Sequence, residues 1–352
     1  MVLKNSEHTK AYLGHVRAKY LIMALFLVLL MILIVIAINV GSIKFKFTEV
    51  LYYLLHPAKT GPARIVWEVR LPRILAALVV GASLSLSGSM MQTVLKNPLA
   101  SPYTLGISSA AALGASFAIV FLQAGTSNTS TIIINNPYVV SIAAFVASMG
   151  ATAIILLLTT LTRTSAESLV LAGIAIGSMS SAGLTLMQYI ANSVQLSNIV
   201  SWTFGDLGRA NKGMLVLVFS IYIPLLIIFS SKRWIFNALG AGEEVAKALG
   251  INTNRVRLWA MIGSSFVASI VVSFFGIISF VGLLGPHIAR KIIGDDHLHL
   301  FLASSLIGAF VLLAADTIAR SILLPLVLPV GIITSLIGGP LFIYLLVKRR
   351  NR

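Results

Sequence analysis

Arg70-Leu-Pro-Arg73-Ile-Leu-Ala-Ala-Leu-Val-Val-Gly81-Ala-Ser83-Leu-Ser85-Leu-Ser87-Gly88-Ser-Met-Met-Gln92, followed by Lys96-Asn97-Pro98-Leu99-Ala100-Ser101-Pro102, is the stretch that decides the fold. It carries the roughly 20 apolar residues that an α-helix needs to cross a hydrocarbon layer about 30 Å thick. Basic residues stand at one end, small residues along the flank allow close helix approach or line a wide cavity, and a loop pinned by two prolines closes the other end. This is the layout expected of a translocation path.

Working outward, 58% of the 352 residues are hydrophobic and 10% charged, with mean hydropathy +0.97. Soluble domains carry about 25% charged residues, so the composition predicts an all-α polytopic membrane protein forming one domain over residues 1–352. Cysteine is absent, which excludes disulfides and thiolate metal sites. About ten spans are expected, near 20–40, 72–92, 103–123, 137–161, 168–190, 214–230, 256–275, 277–293, 299–321 and 331–347, with the break between the seventh and eighth at Gly276 and Ser279. The first span follows a basic tail (1–19) and is too long for a signal-peptide core. Leu196 to Gly208, with Trp202, Phe204 and Asp206, reads as a short interfacial helix.

Most of the 26 Lys and Arg residues then fall on the side of both termini, which predicts cytoplasmic termini in a plasma or inner membrane. The net charge of +16 reflects that bias and attraction to anionic lipid, so it is no argument for nucleic acid. Against the rule, six basic residues gather at the first outer segment: Lys44, Lys46, Lys59, Arg64 and Arg70 within it and Arg73 at the head of the span that follows. Ten spans also give two four-helix groups, spans 2–5 and 7–10, that begin on opposite sides, as in inverted-repeat transporters.

From about Glu68 onward the chain resembles the permeases of iron-siderophore, haem and vitamin B12 importers, the FecCD-type or B12-permease-like family. The resemblance rests on Arg70-Leu-Pro-Arg73, Gly88-x-x-x-Gln92, Lys96-Asn97-Pro98-Leu99-Ala100, Leu171-Ala-Gly173-Ile-Ala-Ile-Gly177 and the Gly242 to Gly250 segment. It continues through Phe280-Val-Gly-Leu-Leu-Gly-Pro286-His287-Ile-Ala-Arg290, Ala315-Asp316-Thr-Ile-Ala-Arg320 and Leu328-Pro-Val-Gly331 leading into Gly339-Pro340. It implies a type II ABC-importer architecture in which two permeases, identical or paralogous, enclose a path flanked by span 5. Two ATP-binding cassette subunits would sit inside and a substrate-binding protein outside.

By the same resemblance Arg70, Arg73 and Arg320 dock acidic residues of the binding protein, a role suited to a planar, always-charged guanidinium. An ion pair between Asp316 and Arg320, one turn apart, is the plainer reading of that pair. Asn97 and Leu99 would form one cytoplasmic gate, and the turn Thr164, Ser165, Ala166 and Glu167 the other. Within a cytoplasmic region at 237–254, Glu243, Glu244, Val245, Ala248, Leu249 and Gly250 would form the helix that couples to the ATPase. Its acids come first and Lys247 late, as the helix dipole prefers.

No G-x-x-x-x-G-K-[ST] motif occurs, so ATP and Mg belong on the partner ATPase and this chain is expected to be neither an enzyme nor a cofactor binder. Asp295-Asp296-His297-Leu-His299 lacks defined ligand spacing and reads as structural, as does His287. An ion-coupled transporter would keep carboxylates at mid-membrane, whereas Asp316 is the acid clearly inside a span. The expected cargo is a bulky metal chelate, ferric siderophore first, with cobalamin, haem and molybdate as alternatives.

Overall fold

The computed structural model describes residues 7–350 apart from 42, 44, 59, 125–136 and 163–165, and among these every regular element is helical. A chain this apolar satisfies its backbone N–H and C=O groups within each segment, and helices do so without a partner strand. The helices are α1 (Glu7–Asn39), α2 (Phe47–Leu55), α3 (Gly61–Arg64), α4 (Leu71–Val94), α5 (Ile107–Phe121), α6 (Pro137–Thr162), α7 (Ala166–Ile190), α8 (Ser193–Thr203), α9 (Lys212–Ser231), α10 (Arg233–Ala241), α11 (Glu243–Ala248), α12 (Thr253–Phe275), α13 (Val281–Ile293), α14 (His297–Ala319) and α15 (Val330–Arg350).

All ten expected spans are helical over most of their length, but they are not equal. Among the described residues, seven stretches are long and apolar enough to cross a membrane, from Val16–Asn39 to His297–Ala319, while Ile107–Phe121 and Val330–Tyr344 are apolar but shorter. Helix α13 has 13 residues, about 20 Å at 1.5 Å per residue. The shortfall in α5 and α13 has one cause. Each follows irregular chain, half-buried at 95–106 and mostly buried at 276–280, and burial in protein is a setting in which a membrane bundle tolerates unwound backbone.

The second of these breaks is held by glycine. A Cβ at Gly276 (φ +75) would sit 2.3 Å from the Trp202 carbonyl oxygen, and one at Gly205 (φ +69) 2.3 Å from that of Ile277. At Gly331 it would lie 2.3 Å from the Phe204 oxygen. Asp206 N–H donates to Phe275 O at 2.8 Å and completes the junction. Trp202, expected at an interface, is therefore only 2% exposed. Helix α8 packs on α5 inside the bundle.

Helix α4 is the axis of the molecule, in contact with α9, α12, α13 and α14. Ser83, Ser85, Ser87 and Ser89 along it are all fully buried. A Cβ at Gly88 would be 1.6 Å from Gly282 O, one at Gly81 2.4 Å from Gly308 O, and one at Gly308 2.3 Å from Ser85 Cβ. The small flank of α4 thus serves backbone-to-backbone packing, with the Ser85 hydroxyl donating to Ser304 O at 2.6 Å.

The two four-helix groups pack alike. Exchanging α4 with α12, α5 with α13, α6 with α14 and α7 with α15 carries the observed contacts into one another. Thus α5 touches α6 and α7 as α13 touches α14 and α15, and α4 meets α13 and α14 as α12 meets α5 and α6. The first outer segment, expected as a loop, folds into α2 and α3, with Val50 1% exposed. The Trp67 indole N–H donates to Tyr53 O at 2.9 Å and ties that segment to the start of the π-helical stretch Ile65–Arg70.

Candidate functional site: the two polar ends of the bundle

The arginine motif opens α4, and its guanidiniums turn into the protein. Asp316, 0% exposed, accepts from Arg73 Nε and from Arg320 Nε, each at 2.9 Å. Arg320 also donates to Val40 O (2.8 Å) and Ala37 O (3.1 Å), at the end of α1. Arg70 donates to Ile38 O at 2.5 Å and to Ile43 O, and stacks over Phe45 at 4.6 Å from the ring centroid. A terminal arginine in a membrane helix ordinarily snorkels outward. Here Arg70 and Arg320 are each 5% exposed, because three carbonyls at the end of α1 and the Asp316 carboxylate face inward and need donors. Arg73 additionally reaches toward Asp206 at 3.6 Å. The i,i+4 ion pair read from the sequence is present, extended by a third member.

At the far end of α4, about 36 Å away by helix rise, the chain closes in a Schellman motif. Lys96 N–H donates to Thr93 O (3.3 Å) and Asn97 N–H to Gln92 O (3.2 Å), with Lys96 in the left-handed region at φ +48. Glycine is the usual residue at that position. Asn97 Oδ1 then accepts from Leu99 N–H at 2.9 Å, and Leu99 is 39% exposed. The loop ends at Gly106 (φ +74), where a Cβ would lie 2.8 Å from Gly173 O and from Gly177 N. The glycines of α7 are therefore the seat for this loop. Thr164 and Ser165 of the second expected gate lie outside the described residues, as do the side chains of Ala166 and Glu167.

On the same end of the bundle, α10 and α11 form an arm. Val245 and Leu249 are 46% and 67% exposed, Ala248 is exposed beside them, and Ala246 is the residue that buries. Glu244 projects outward, its side chain 94% exposed. Left-handed glycines bracket the helix, Gly242 at φ +148 and Gly250 at φ +77. Glu243 holds the arm down: it accepts from Arg257 (3.3 Å) and the Thr253 hydroxyl (3.2 Å) and pairs with Lys247 at 3.5 Å. Partial burial pushes the Glu243 carboxyl up, but Arg257, Thr253 and Lys247 together hold it below the ordinary value. Arg257 Nε in turn donates to Val94 O at 3.3 Å. One side chain thus joins the arm to the end of α4, next to the loop at Asn97 and Leu99.

A second tie uses the acidic-histidine segment. Asp296 caps α14, accepting from Leu298 N–H at 3.3 Å, and also receives Asn237 Nδ2 (3.2 Å) from α10 and His299 Nδ1 (2.8 Å). Burial raises the Asp296 carboxyl, while His299, Asn237 and the Leu298 amide outweigh it and lower the pKa overall. His297 is 1% exposed; its Nδ1 meets Asn237 Oδ1 at 2.7 Å and its Nε2 meets the Thr93 hydroxyl at 2.9 Å. Arg290 adds a bond to Thr93 Oγ1 at 2.8 Å. The reading of this segment as structural agrees with these bonds. Arg257, Asn237 and Thr93 were not singled out in the sequence. Polar residues flanking the segment at 242–250 were the available signal, and only the fold says which of them reach α4.

The profile of the FecCD transport family matches residues 29–348. An ABC transporter permease protein of Methanocaldococcus jannaschii is 46% identical over 342 residues, 97% of this chain and 98% of that protein. The hemin transport system permease protein HmuU of Yersinia pestis is 35% identical over 340 residues, covering 96% and 98%. Among solved structures, an inward-facing metal-chelate type ABC transporter superposes with a TM-score of 0.79 at 31% identity, covering 94% of this chain and 99% of that one.

Proposed function

This chain belongs to the FecCD transport family, and we propose that it is the membrane permease through which an ATP-driven importer passes a ferric siderophore into the cytoplasm. Membership makes it the permease of an ABC importer; the cargo, partner set and residue roles are the proposal. The observation that carries it is the arm: an exposed apolar face of Val245, Ala248 and Leu249 on a helix whose other side is pinned by Glu243 to Arg257 and so to Val94. An apolar face on a short, otherwise charged helix invites a groove on another subunit, and ATP hydrolysis there would move the arm against the base of α4.

In this reading two permease copies, identical or paralogous, enclose the path. Helix α7 contributes its open face of Ser178, Ser181, Ala182 and Thr185, small and uncharged as suits passage of a bulky chelate without retention. The loop at Asn97 and Leu99 and the turn at 164–167 are the gates. Both termini and the arm lie in the cytoplasm, and the binding protein docks at the opposite end. With Arg70 and Arg320 buried, the three arginines there act by fixing the shape of the docking face around Asp316, and exposed Lys46 and Lys212 on flanking elements supply outward charge. Haem is the second cargo, favoured by the relative from Yersinia pestis named for hemin.

Leu249→Asp tests the coupling role directly. In proteoliposomes with the ATPase and binding protein, chelate uptake is expected to fall at least tenfold while the complex still hydrolyses ATP. Unchanged uptake would refute the role of the arm. Affinity of the cognate binding protein for ferric siderophore, haem, cobalamin and molybdate decides the cargo, and tight binding of a ligand without iron alone would overturn that choice while leaving the permease assignment standing.

A further inference from the structure

A cavity of about 1560 Å³ opens at the arm end of the bundle, between the start of α1, the end of α4, α10, α13 and the first turn of α14. Its wall carries five cations, Lys19, Lys96, Arg233, Arg290 and Lys291, against two carboxylates, Asp295 and Asp296. Both carboxylates are already engaged: Asp295 by Arg290 at 2.5 Å, and Asp296 by His299 and Asn237. Lys19, Lys96, Arg233 and Lys291 have no carboxylate within ion-pair distance among the described residues. Four positive charges therefore face one space without counter-charge.

Two buried polar atoms in the same wall lack partners. Gln92 is 4% exposed with its Oε1 unbonded, and His299 is 3% exposed with its Nε2 unbonded. A buried polar atom left unpaired is costly, and both of these are acceptors, since His299 Nδ1 faces the Asp296 carboxylate, so they call for a hydrogen-bond donor. Tyr20 and Trp234 stand at the rim, 53% and 71% exposed. Aromatic residues of this kind mark the headgroup level of a bilayer. Immediately beyond Tyr20, Leu21, Leu25, Val28 and Ile32 repeat at i, i+4, i+7 and i+11 and are 51–70% exposed. That stripe on α1 faces hydrocarbon, while Ile22, Met23 and Phe26 on its other side pack against the α13–α14 cluster. The cavity thus lies where the chain passes from lipid-facing to basic.

We propose that this cavity is a binding site for the headgroup of an anionic, hydroxyl-bearing phospholipid of the phosphatidylglycerol type, its phosphate held by Lys19, Lys96, Arg233 and Lys291, its free hydroxyls donating to Gln92 Oε1 and His299 Nε2, and its acyl chains leaving along α1. Basic pockets between helices at a membrane boundary bind such headgroups. The rim aromatics and the apolar stripe favour a lipid over free phosphate, which has no use for either. The site touches Thr93 on α4, Lys96 in the loop that follows it and Asn237 on α10, so an occupant bears on both ties between arm and gate.

Native mass spectrometry of the full chain in neutral detergent, titrated with phosphatidylglycerol and, separately, phosphatidylcholine, tests the assignment. One phosphatidylglycerol per chain is expected to be retained in preference to phosphatidylcholine. The triple change Lys19→Gln, Arg233→Gln and Lys291→Gln should weaken retention about a hundredfold, at roughly a decade or less per basic residue. The charge-conserving set Lys19→Arg, Arg233→Lys and Lys291→Arg should keep it, and Arg233→Gln alone should weaken it about fivefold should the triple variant fail to fold. Equal retention of the two lipids, or retention indifferent to the neutral substitutions, overturns the proposal. So does displacement of phosphatidylglycerol by millimolar inorganic phosphate with the same sensitivity to the variants, which would make the site one for the free anion.

Discussion

Helices α4 and α7 are written in nearly the same residues and have opposite fates. Both carry glycine and serine through an apolar span, yet the most apolar window of α4 is 89% buried and that of α7 17%. The difference lies in their partners. Gly81 and Gly88 of α4 meet the backbones of Gly308 and Gly282, whereas on α7 Gly173 and Gly177 meet Leu105 and Gly106, and beyond them Met179, Leu186 and Tyr189 stand 74%, 55% and 87% exposed. Small residues are a permission for close approach, and whether it is used depends on what lies opposite.

The contrast is open to direct attack. Asp316→Ala should have the largest effect, about 3–5 kcal/mol, because it strands the buried Arg73 and Arg320 charges at the head of α4. The expected result is loss of folded protein in detergent size exclusion, and near-normal yield would mean the triad is not what anchors that end. Gly88→Ala comes next, at about 3 kcal/mol, the upper end of overpacking costs. Its Cβ would land 1.6 Å from a carbonyl oxygen, so the helices must part. Thermal unfolding measures it.

On α7, Ser181→Leu should leave stability within about 0.5 kcal/mol, as for open surface positions, while uptake drops severalfold through a narrowed path. A melting shift as large as that of Gly88→Ala would erase the distinction between the two helices. The smallest effect concerns the arm. With its pKa held below the ordinary glutamate value of about 4.3, Glu243 contributes stability that is complete above that value and fades as pH falls through the lower, folded one. Hydrogen-exchange protection across 243–249, taken relative to the intrinsic amide rate, should therefore fall on acidification below about pH 4, and Glu243→Gln should lower that protection at every pH.

Much of the architecture was legible because span length and apolarity are local properties. The ten helices, the break at Gly276 and Ser279, and the Asp316–Arg320 pair all follow from residues within a few turns of each other. What was missed is long-range. Nothing near Trp202 says that Gly276 and Gly331 will close over it, and nothing near Arg70 says that Ile38 and Ile43 will offer it carbonyls. The Glu243–Arg257–Val94 link has the same character, with its last step crossing 163 residues of chain. Short apolar helices are hidden for a different reason: α2, an amphipathic helix of 9 residues between spans, reads as loop when only membrane-length runs are sought.

The dependence of α4 on glycines of α13 and α14 sets a problem of timing during synthesis. When the ribosome has finished α4, the segments that will cover Ser85 and Gly88 are still almost 200 codons away, roughly 10–40 s of translation. Through that interval a helix with a serine-lined flank must wait in lipid or within the insertion machinery without its eventual neighbours. The molecule's central axis is therefore among the first parts to be made and among the last to be enclosed.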